Sequence, residues 1–184
     1  MIRRVGACGL RARGDPYASL HRAILHQQLA GAAAAAIERR VRAIFGGRTP
    51  RPAAFLAADE TSLRAAGLSR QKLAALRDLA RAFHARELDG RRLRHLDDDA
   101  VVEAVTRVRG VGEWTAHMLL MSSLGRPDVL PVGDYGIRKG AQRLYGLREL
   151  PGRRELTALA EPWRPWRSVA SWYLWRAVDL PGLS

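Results

Sequence analysis

The chain has 184 residues, 47% of them hydrophobic and 27% charged, a composition that supports a folded core and excludes global disorder. No apolar run approaches the roughly 20 residues that cross a bilayer, and the N-terminus lacks the apolar segment of a secretory signal, so we expect a cytoplasmic protein. Basic residues outnumber acidic ones 31 to 18, and the formal charge of +13 favours nucleic acid as the partner. Anionic membranes would attract the same charge, but no lysine-rich amphipathic segment is present.

Helical patterns follow one another through the first half of the chain. Asp15 and Pro16 are typical of the cap and first position of a helix, whose predicted buried face holds Leu20, Ile24 and Leu25. After an interruption at Gly31, a second helix is predicted to end at Gly46 and Gly47. We interpret residues 48–52, RTPRP, as a loop between two lobes of the fold.

A short helix closed by Gly67 precedes a longer amphipathic helix that Ser69 is placed to cap. The predicted buried stripe of this longer helix consists of Leu73, Leu76, Leu79, Ala80 and Phe83. Three aspartates at 97–99 then suit the start of another helix.

That helix leads into a tight glycine corner, Gly110-Val111-Gly112, and a further helix follows the corner. Glycines allow the backbone to approach a ligand closely, and the amides at the start of a helix suit a phosphate oxygen. A plain tight turn between two helices explains the same glycines, and the positive charge of the chain favours the phosphate interpretation.

Asp134 lies alone between a proline-containing connector and the helical segment YGIRKGAQRLYG. An isolated acid at this position is usually a helix cap. Two more helices, broken around Pro162 and Pro165, complete the chain. Because no strand pattern longer than a few residues occurs, we predict an all-α fold.

Four ordered stretches resemble the helix-hairpin-helix (HhH-GPD) DNA glycosylase superfamily. They are RAILHQQLAGAAAA, LRAAGLSRQKLAALRDLA, VRGVGEWTAHMLL with LPVGDYGIRKG, and PWRPWRSVASWYLW. The last is similar to the C-terminal helix of the bacterial 3-methyladenine DNA glycosylase II branch. The resemblance implies one two-lobed helical domain over residues 1–184, with a cleft between the lobes and no N-terminal β domain. The implied central lobe spans about 31–130 with the hairpin at 106–116, and the N-terminal helix with 131–184 forms the second.

The resemblance assigns the catalytic acid to Asp134, since base removal needs a carboxylate that stabilises an oxocarbenium-like sugar. Asp128 is the rival acid and is discounted because it occupies a variable position. Members that also cleave the strand place a lysine where this chain has Trp114, and many hold an iron–sulfur cluster on four cysteines, whereas Cys8 is the only cysteine here. The resemblance therefore implies a monofunctional hydrolase without a catalytic cofactor.

The same resemblance supplies a pocket for the damaged base, formed by Trp114, Trp175, Tyr135 and Met118. An indole face attracts a cationic alkylated base by about 2 kcal/mol where water is excluded. Met118 stands where some relatives have a tyrosine, which puts the substrate range in doubt. For the other tryptophans, Trp163, Trp166 and Trp172, we favour core packing.

DNA contacts are also implied by position. Gln28, with Gln27 beside it, matches the side chain that fills the gap left by a flipped base, although two glutamines also suit a helix end. Phosphate contacts are assigned to Gly110, Val111, Gly112 and Thr115. The backbone carbonyls of Thr106, Val108 and Val111 are assigned to a Na⁺ or K⁺ ion that bridges to DNA. Arg109 replaces the proline usual before the first hairpin glycine.

We therefore expect a monomeric, nucleoid-associated enzyme that excises alkylated purines from duplex DNA. Two alternatives remain open at this point. One is a glycosylase for deaminated or etheno bases, and the other is a non-catalytic helix-hairpin-helix protein that binds DNA without regard to damage.

Overall fold

The computed structural model describes residues 1–12 and 14–179, and this part of the chain contains twelve α-helices and no β-strand. The prediction of an all-α fold is therefore confirmed. None of the helices within these residues is both long and apolar enough to span a membrane.

The helices divide between two compact units, which we describe separately. The central unit is Gly14–Leu119, and the terminal unit is the described part of the chain outside that range. The helices of the central unit are α2 (Pro16–His26), α3 (Gly31–Ile44), α4 (Pro52–Ala57), α5 (Glu60–Ala65), α6 (Arg70–His84), α7 (Gly90–His95), α8 (Asp98–Thr106) and α9 (Glu113–Leu119). Those of the terminal unit are α1 (Ile2–Val5), α10 (Tyr135–Tyr145), α11 (Arg153–Ala160) and α12 (Arg167–Asp179).

The unit boundaries differ from the predicted lobes in two respects. Helix α2 belongs to the central unit, where Tyr17 packs edge-on against Phe83 and His21 against Phe55, at ring separations of 5.2 and 5.4 Å. The loop at residues 48–52 also lies inside the central unit, so its interpretation as a connection between lobes was wrong. Pro52 instead begins α4.

Local signals in the sequence account for the helices of the central unit. The Asp15 side chain caps α2 by accepting from the amide of Ala18, and the predicted face of Leu20, Ile24 and Leu25 is fully buried. Ser69 caps α6 by accepting from the amide of Lys72. The predicted stripe of α6 is buried except for Phe83, which is half-buried against Tyr17.

In the terminal unit, α10 and α12 cross at close range because α10 carries a glycine at the contact. A Cβ added to Gly140 would lie 2.2 Å from the carbonyl oxygen of Leu174, so only glycine fits. Ile137, Ala141, Leu156 and Leu174 form the buried core around this crossing.

The three tryptophans predicted to pack in the core differ in their burial. Trp163 is half-buried, stacks on Tyr145 and packs against the core around Ile137. Trp172 is half-buried beside Gly9, where an added Cβ would meet its ring at 3.2 Å. Trp166 is 60% exposed, so the prediction of core packing was wrong for this residue. It directly precedes α12, outside the helix.

Candidate active site and nucleic-acid contacts

The hairpin of the central unit contains one glycine with a positive φ at its turn. Helix α8 ends at Thr106, Gly110 adopts φ +78°, and α9 begins at Glu113. The carbonyl of Gly112 accepts the first α-helical bond, from the amide of Ala116 at 3.0 Å. The amides that precede Ala116 have no acceptor within α9, so the positive end of the helix dipole emerges at the turn.

Two residues predicted to contact phosphate are poorly placed to do so. Val111 is buried and its amide donates to the carbonyl of Val108 at 3.0 Å, so neither its side chain nor its N–H faces a ligand. The Thr115 side chain is only 4% exposed, so a contact from this residue would have to come from its backbone. Val111 is a buried residue of the turn and Thr115 a buried residue of α9, whereas Gly110 and Gly112 are exposed.

Arg109, which replaces the usual proline, donates its backbone N–H to Oδ2 of Asp78 at 2.8 Å. A proline has no N–H and would forfeit this bond. This hydrogen bond, with Arg81 beside it, holds the pKa of Asp78 below its usual value. The hairpin is therefore attached to α6 by a bond that depends on this departure from the family pattern.

The two glutamines end α2 in different ways. Gln27 turns its side chain toward the hairpin, and its Nε2 donates to the carbonyl of Gly110 at 2.8 Å. Gln28 is exposed and has φ +56°, a left-handed backbone conformation that residues other than glycine rarely adopt. Of the two glutamines, Gln28 is the more exposed to solvent.

A cavity of about 940 Å³ opens on the central unit. The sequence-predicted residues that line it are Gln27, Gln28, Gly110, Trp114 and Met118. Trp114 and Met118 lie one turn apart on α9, which places both on the same face of the helix. Trp114 is 48% exposed, and a large indole left half in solvent on a cavity wall is suited to binding a flat ligand.

Asp134 in the terminal unit has two roles at one oxygen. Its Oδ1 caps α10 by accepting from the amide of Ile137 at 2.8 Å, and the same atom accepts from the indole N–H of Trp175 at 2.9 Å. The residue is 9% exposed. The structure therefore brings Asp134 and Trp175 together, and the indole acts on the acid as a hydrogen-bond donor.

Gly136 makes this pairing sterically feasible. A Cβ added there would lie 2.9 Å from Cδ1 of Trp175 and 3.2 Å from Oδ1 of Asp134. Real Cβ atoms do not approach ring carbons so closely. The glycine two residues after the acid is thus the space into which the indole fits.

The structure places Tyr135 at the surface of this unit and Asp128 in a cluster of ion pairs. Tyr135, the first residue of α10, is 66% exposed. Asp128 forms ion pairs with Arg167 at 2.7 Å and Arg164 at 2.9 Å. The hydrogen bond from Arg167 is the main cause that lowers the pKa of Asp128. The rival acid is therefore committed to a structural cluster.

Comparison with known proteins decides the family. The model of the HhH-GPD superfamily of base excision DNA repair proteins matches residues 21–165. The chain belongs to this superfamily.

DNA-3-methyladenine glycosylase 1 of Schizosaccharomyces pombe is 34% identical over 168 residues, which are 90% of this chain and 74% of the relative. The solved structure of that yeast enzyme, Mag1, in complex with abasic DNA has a TM-score of 0.88 over 98% of this chain and 90% of its own. The crystal structure of a DNA-3-methyladenine glycosidase from Bacillus halodurans is 38% identical, with a TM-score of 0.89, over 96% of this chain and 81% of its own. DNA-3-methyladenine glycosylase 2 of Escherichia coli is 32% identical over 94% of this chain and 62% of the relative.

For this HhH-GPD protein, sequence reasoning did not identify three site residues. Lys72 lines the cavity and donates to backbone carbonyls of α2, Asp78 holds the hairpin, and Gly136 accommodates the indole. Only Gly136 had a signal in the sequence, because a glycine inside a predicted helix, here at its second position, suggests a close approach. Among residues 1–12 and 14–179 no cluster of three or more histidine, cysteine or acidic side chains is arranged to hold a metal ion.

Proposed function

We propose that this chain is a monofunctional DNA glycosylase that removes alkylated purines, 3-methyladenine and 7-methylguanine, from duplex DNA and leaves an abasic site. Membership of the HhH-GPD superfamily and relatives named for 3-methyladenine support the reaction class. The observation that carries the assignment is the Asp134–Trp175 hydrogen bond, which commits an indole to orienting one carboxylate.

In the proposed reaction, the damaged nucleotide leaves the base stack, and its base binds against Trp114. The cationic ring of an alkylated purine is attracted to the indole face. As the bond between base and sugar lengthens, positive charge develops on the sugar, and the carboxylate of Asp134 stabilises that charge and orients the attacking water. The bonds from Trp175 and from the amide of Ile137 hold the carboxylate in place for this task.

Strand cleavage through a lysine Schiff base is not part of the proposal. Lys72 donates its ammonium to the carbonyls of Leu25 and Gln27, and Lys139 donates to Gln142 within its own helix. Both lysines are occupied as donors, and Trp114 stands at the position of the family's lysine nucleophile.

Duplex DNA is the proposed partner, with the chain acting as a monomer on the nucleoid. Gly110 and Gly112 are exposed at the hairpin, where backbone amides suit a phosphate. We extend the proposal to a Na⁺ or K⁺ ion held by the carbonyls of Thr106, Val108 and Val111. Thr106 ends α8, where carbonyls lack intrahelical partners, and carbonyl oxygens suit such ions. The Val108 carbonyl accepts one hydrogen bond and keeps its second lone pair for an ion.

The test is release of free base from DNA treated with dimethyl sulfate, followed by cleavage of the abasic site with alkali. Release of 3-methyladenine and 7-methylguanine, without strand cleavage before alkali, is the expected result. A second candidate, a glycosylase for hypoxanthine or etheno-adenine, is favoured by Met118 on the cavity wall, and duplexes with those lesions test it. Binding that ignores damage, without any released base, would instead indicate a non-catalytic DNA-binding protein.

A further inference from the structure

The turn between α2 and α3 contains a residue with an unfavourable backbone conformation. Gln28 has φ +56° and an exposed side chain, and the next residue, Leu29, is also exposed. A residue other than glycine keeps such a conformation only where its surroundings hold it.

Two side chains hold this turn through hydrogen bonds. Lys72 donates its ammonium to the carbonyl of Leu25 at 2.5 Å and to that of Gln27 at 2.7 Å. These are carbonyls at the C-terminal end of α2, where a cation satisfies acceptors and interacts favourably with the helix dipole. Gln27 then donates its side-chain amide to the carbonyl of Gly110 in the hairpin, 83 residues away in sequence.

The helix that supplies Lys72 also holds the hairpin. Asp78 on α6 accepts from the backbone amide of Arg109 at 2.8 Å. Between them, Ala75 packs where Gly110 has no side chain, since an added Cβ would lie 3.3 Å from that of Ala75. Lys72, Ala75 and Asp78 follow one another at steps of three residues, which form a ridge along a helix. One ridge of α6 therefore fixes both the glutamine turn and the hairpin.

We propose that Lys72 and Gln27 are positioning residues that set Gln28 at a fixed distance and orientation from the hairpin that grips the strand. This inference rests on the proposed function, in which Gln28 enters the gap left by the flipped nucleotide. Because the turn is fixed before DNA binds, Gln28 enters the duplex at a set distance from the phosphates that the hairpin contacts. Neither positioning residue touches the reacting atoms.

The proposal makes a distinction between substrates. A paired base must be unpaired and unstacked before it can be removed, whereas a base without a partner leaves the stack at much lower cost. A correctly placed Gln28 matters chiefly for the paired base. Loss of either positioning residue should therefore slow excision of a paired lesion while excision of an unpaired lesion remains near the wild-type rate.

The experiment compares wild type with Lys72→Met and Gln27→Leu on one strand whose only guanine is methylated with dimethyl sulfate. The strand is paired so that this guanine faces either cytosine or a tetrahydrofuran abasic analogue, and single-turnover base release is measured. Lys139→Met is the matched control, because it removes the chain's other lysine, whose ammonium donates to Gln142 within α10. Melting temperatures check that each variant is folded, and the Gln27 variant tests the proposal if the Lys72 variant is not.

For both positioning variants we expect at least about a tenfold loss opposite cytosine, with little change opposite the abasic analogue, and no change in either for Lys139→Met. Equal losses on both substrates, or no loss on either, would overturn the positioning role. If the wild type releases no base at all, the proposed function fails. In that case the fluorescence of 2-aminopurine placed opposite the lesion measures insertion of Gln28 into the duplex. Lys72→Met and Gln27→Leu should reduce this insertion, and Lys139→Met should not.

Discussion

The indole N–H of Trp175 donates to Oδ1 of Asp134 at 2.9 Å, across 41 residues of sequence. The same oxygen caps α10, so one carboxylate atom joins the start of one helix to the middle of another. A hydrogen bond to a charged group is typically worth about 1.5–3 kcal/mol. The indole is therefore a substantial part of what fixes the orientation of the proposed catalytic acid.

Substituting Trp175→Phe keeps an aromatic ring and removes the donor. We expect the rate of base release to fall by roughly tenfold to a hundredfold, because the carboxylate loses a hydrogen bond that helps to hold its orientation. The melting temperature should change little by comparison. Single-turnover kinetics with methylated DNA check this, and a wild-type rate in the variant would show that the indole does not orient the acid.

Substituting Gly136→Ala places a methyl group 2.9 Å from the Trp175 ring. The ring must shift, and the acid with it, so we expect a loss of about a hundredfold in base release, typical of misplacement by about 1 Å. Gly133→Ala, just before α10, is the matched control, because its nearest neighbour, Arg153, would lie at an ordinary 3.8 Å. If both variants lost activity equally, the close approach at Gly136 would not be the cause.

Substituting Trp114→Leu removes the π face and keeps an apolar side chain on the cavity wall. A cation–π contribution of about 2 kcal/mol predicts a loss of roughly thirtyfold in kcat/KM for cationic 7-methylguanine relative to neutral hypoxanthine. Trp166→Leu, at an exposed tryptophan outside the cavity, should leave the ratio unchanged. A uniform loss on both lesions would assign Trp114 to packing instead of charge recognition.

His21 makes folding stability depend on pH. Burial lowers its pKa from 6.5 to about 4, with Glu38 opposing the shift and Arg42 adding to it, and its Nε2 is buried without a hydrogen-bond partner. The unfolded chain therefore binds a proton that the folded protein does not. The contribution of neutral His21 to the free energy of unfolding is fully present above pH 6.5 and is lost as pH falls toward 4.

Between pH 6.5 and 5 this residue should account for a loss of about 2 kcal/mol in the free energy of unfolding. Urea denaturation of wild type and His21→Leu at the two pH values measures the difference. The variant should lose correspondingly less stability over the interval. Identical pH dependence in the two proteins would show that His21 is protonated without penalty in the fold.

Local signals predicted most of the fold and only part of the site. The Asp15 and Ser69 caps and the buried face of α6 were readable because caps and periodicity act within a few residues. Helix α7 was missed, since its six residues, GRRLRH, carry four basic side chains and one apolar residue, too few to show a buried face. The unit boundaries were also misjudged, because aromatic contacts made by Tyr17 and His21 place α2, and sequence patterns do not report such partners.

The site shows the same limit. Resemblance to the family selected Asp134, Trp114 and Gln28 by position. It did not show that Trp175 acts on the acid, or that Lys72 holds the glutamine turn, because each is a contact between residues more than 40 positions apart. Such pairings depend on how helices cross, which no local pattern determines.

The most direct measurement compares base release by wild type and Asp134→Asn on methylated duplex DNA. Asparagine still caps α10, so fold and DNA binding should persist while base release falls by about a hundredfold to a thousandfold. Asp128→Asn, which breaks the ion pairs with Arg164 and Arg167, should lower the melting temperature and keep the rate. Full activity in Asp134→Asn would show that the Asp134 carboxylate is not the catalytic group.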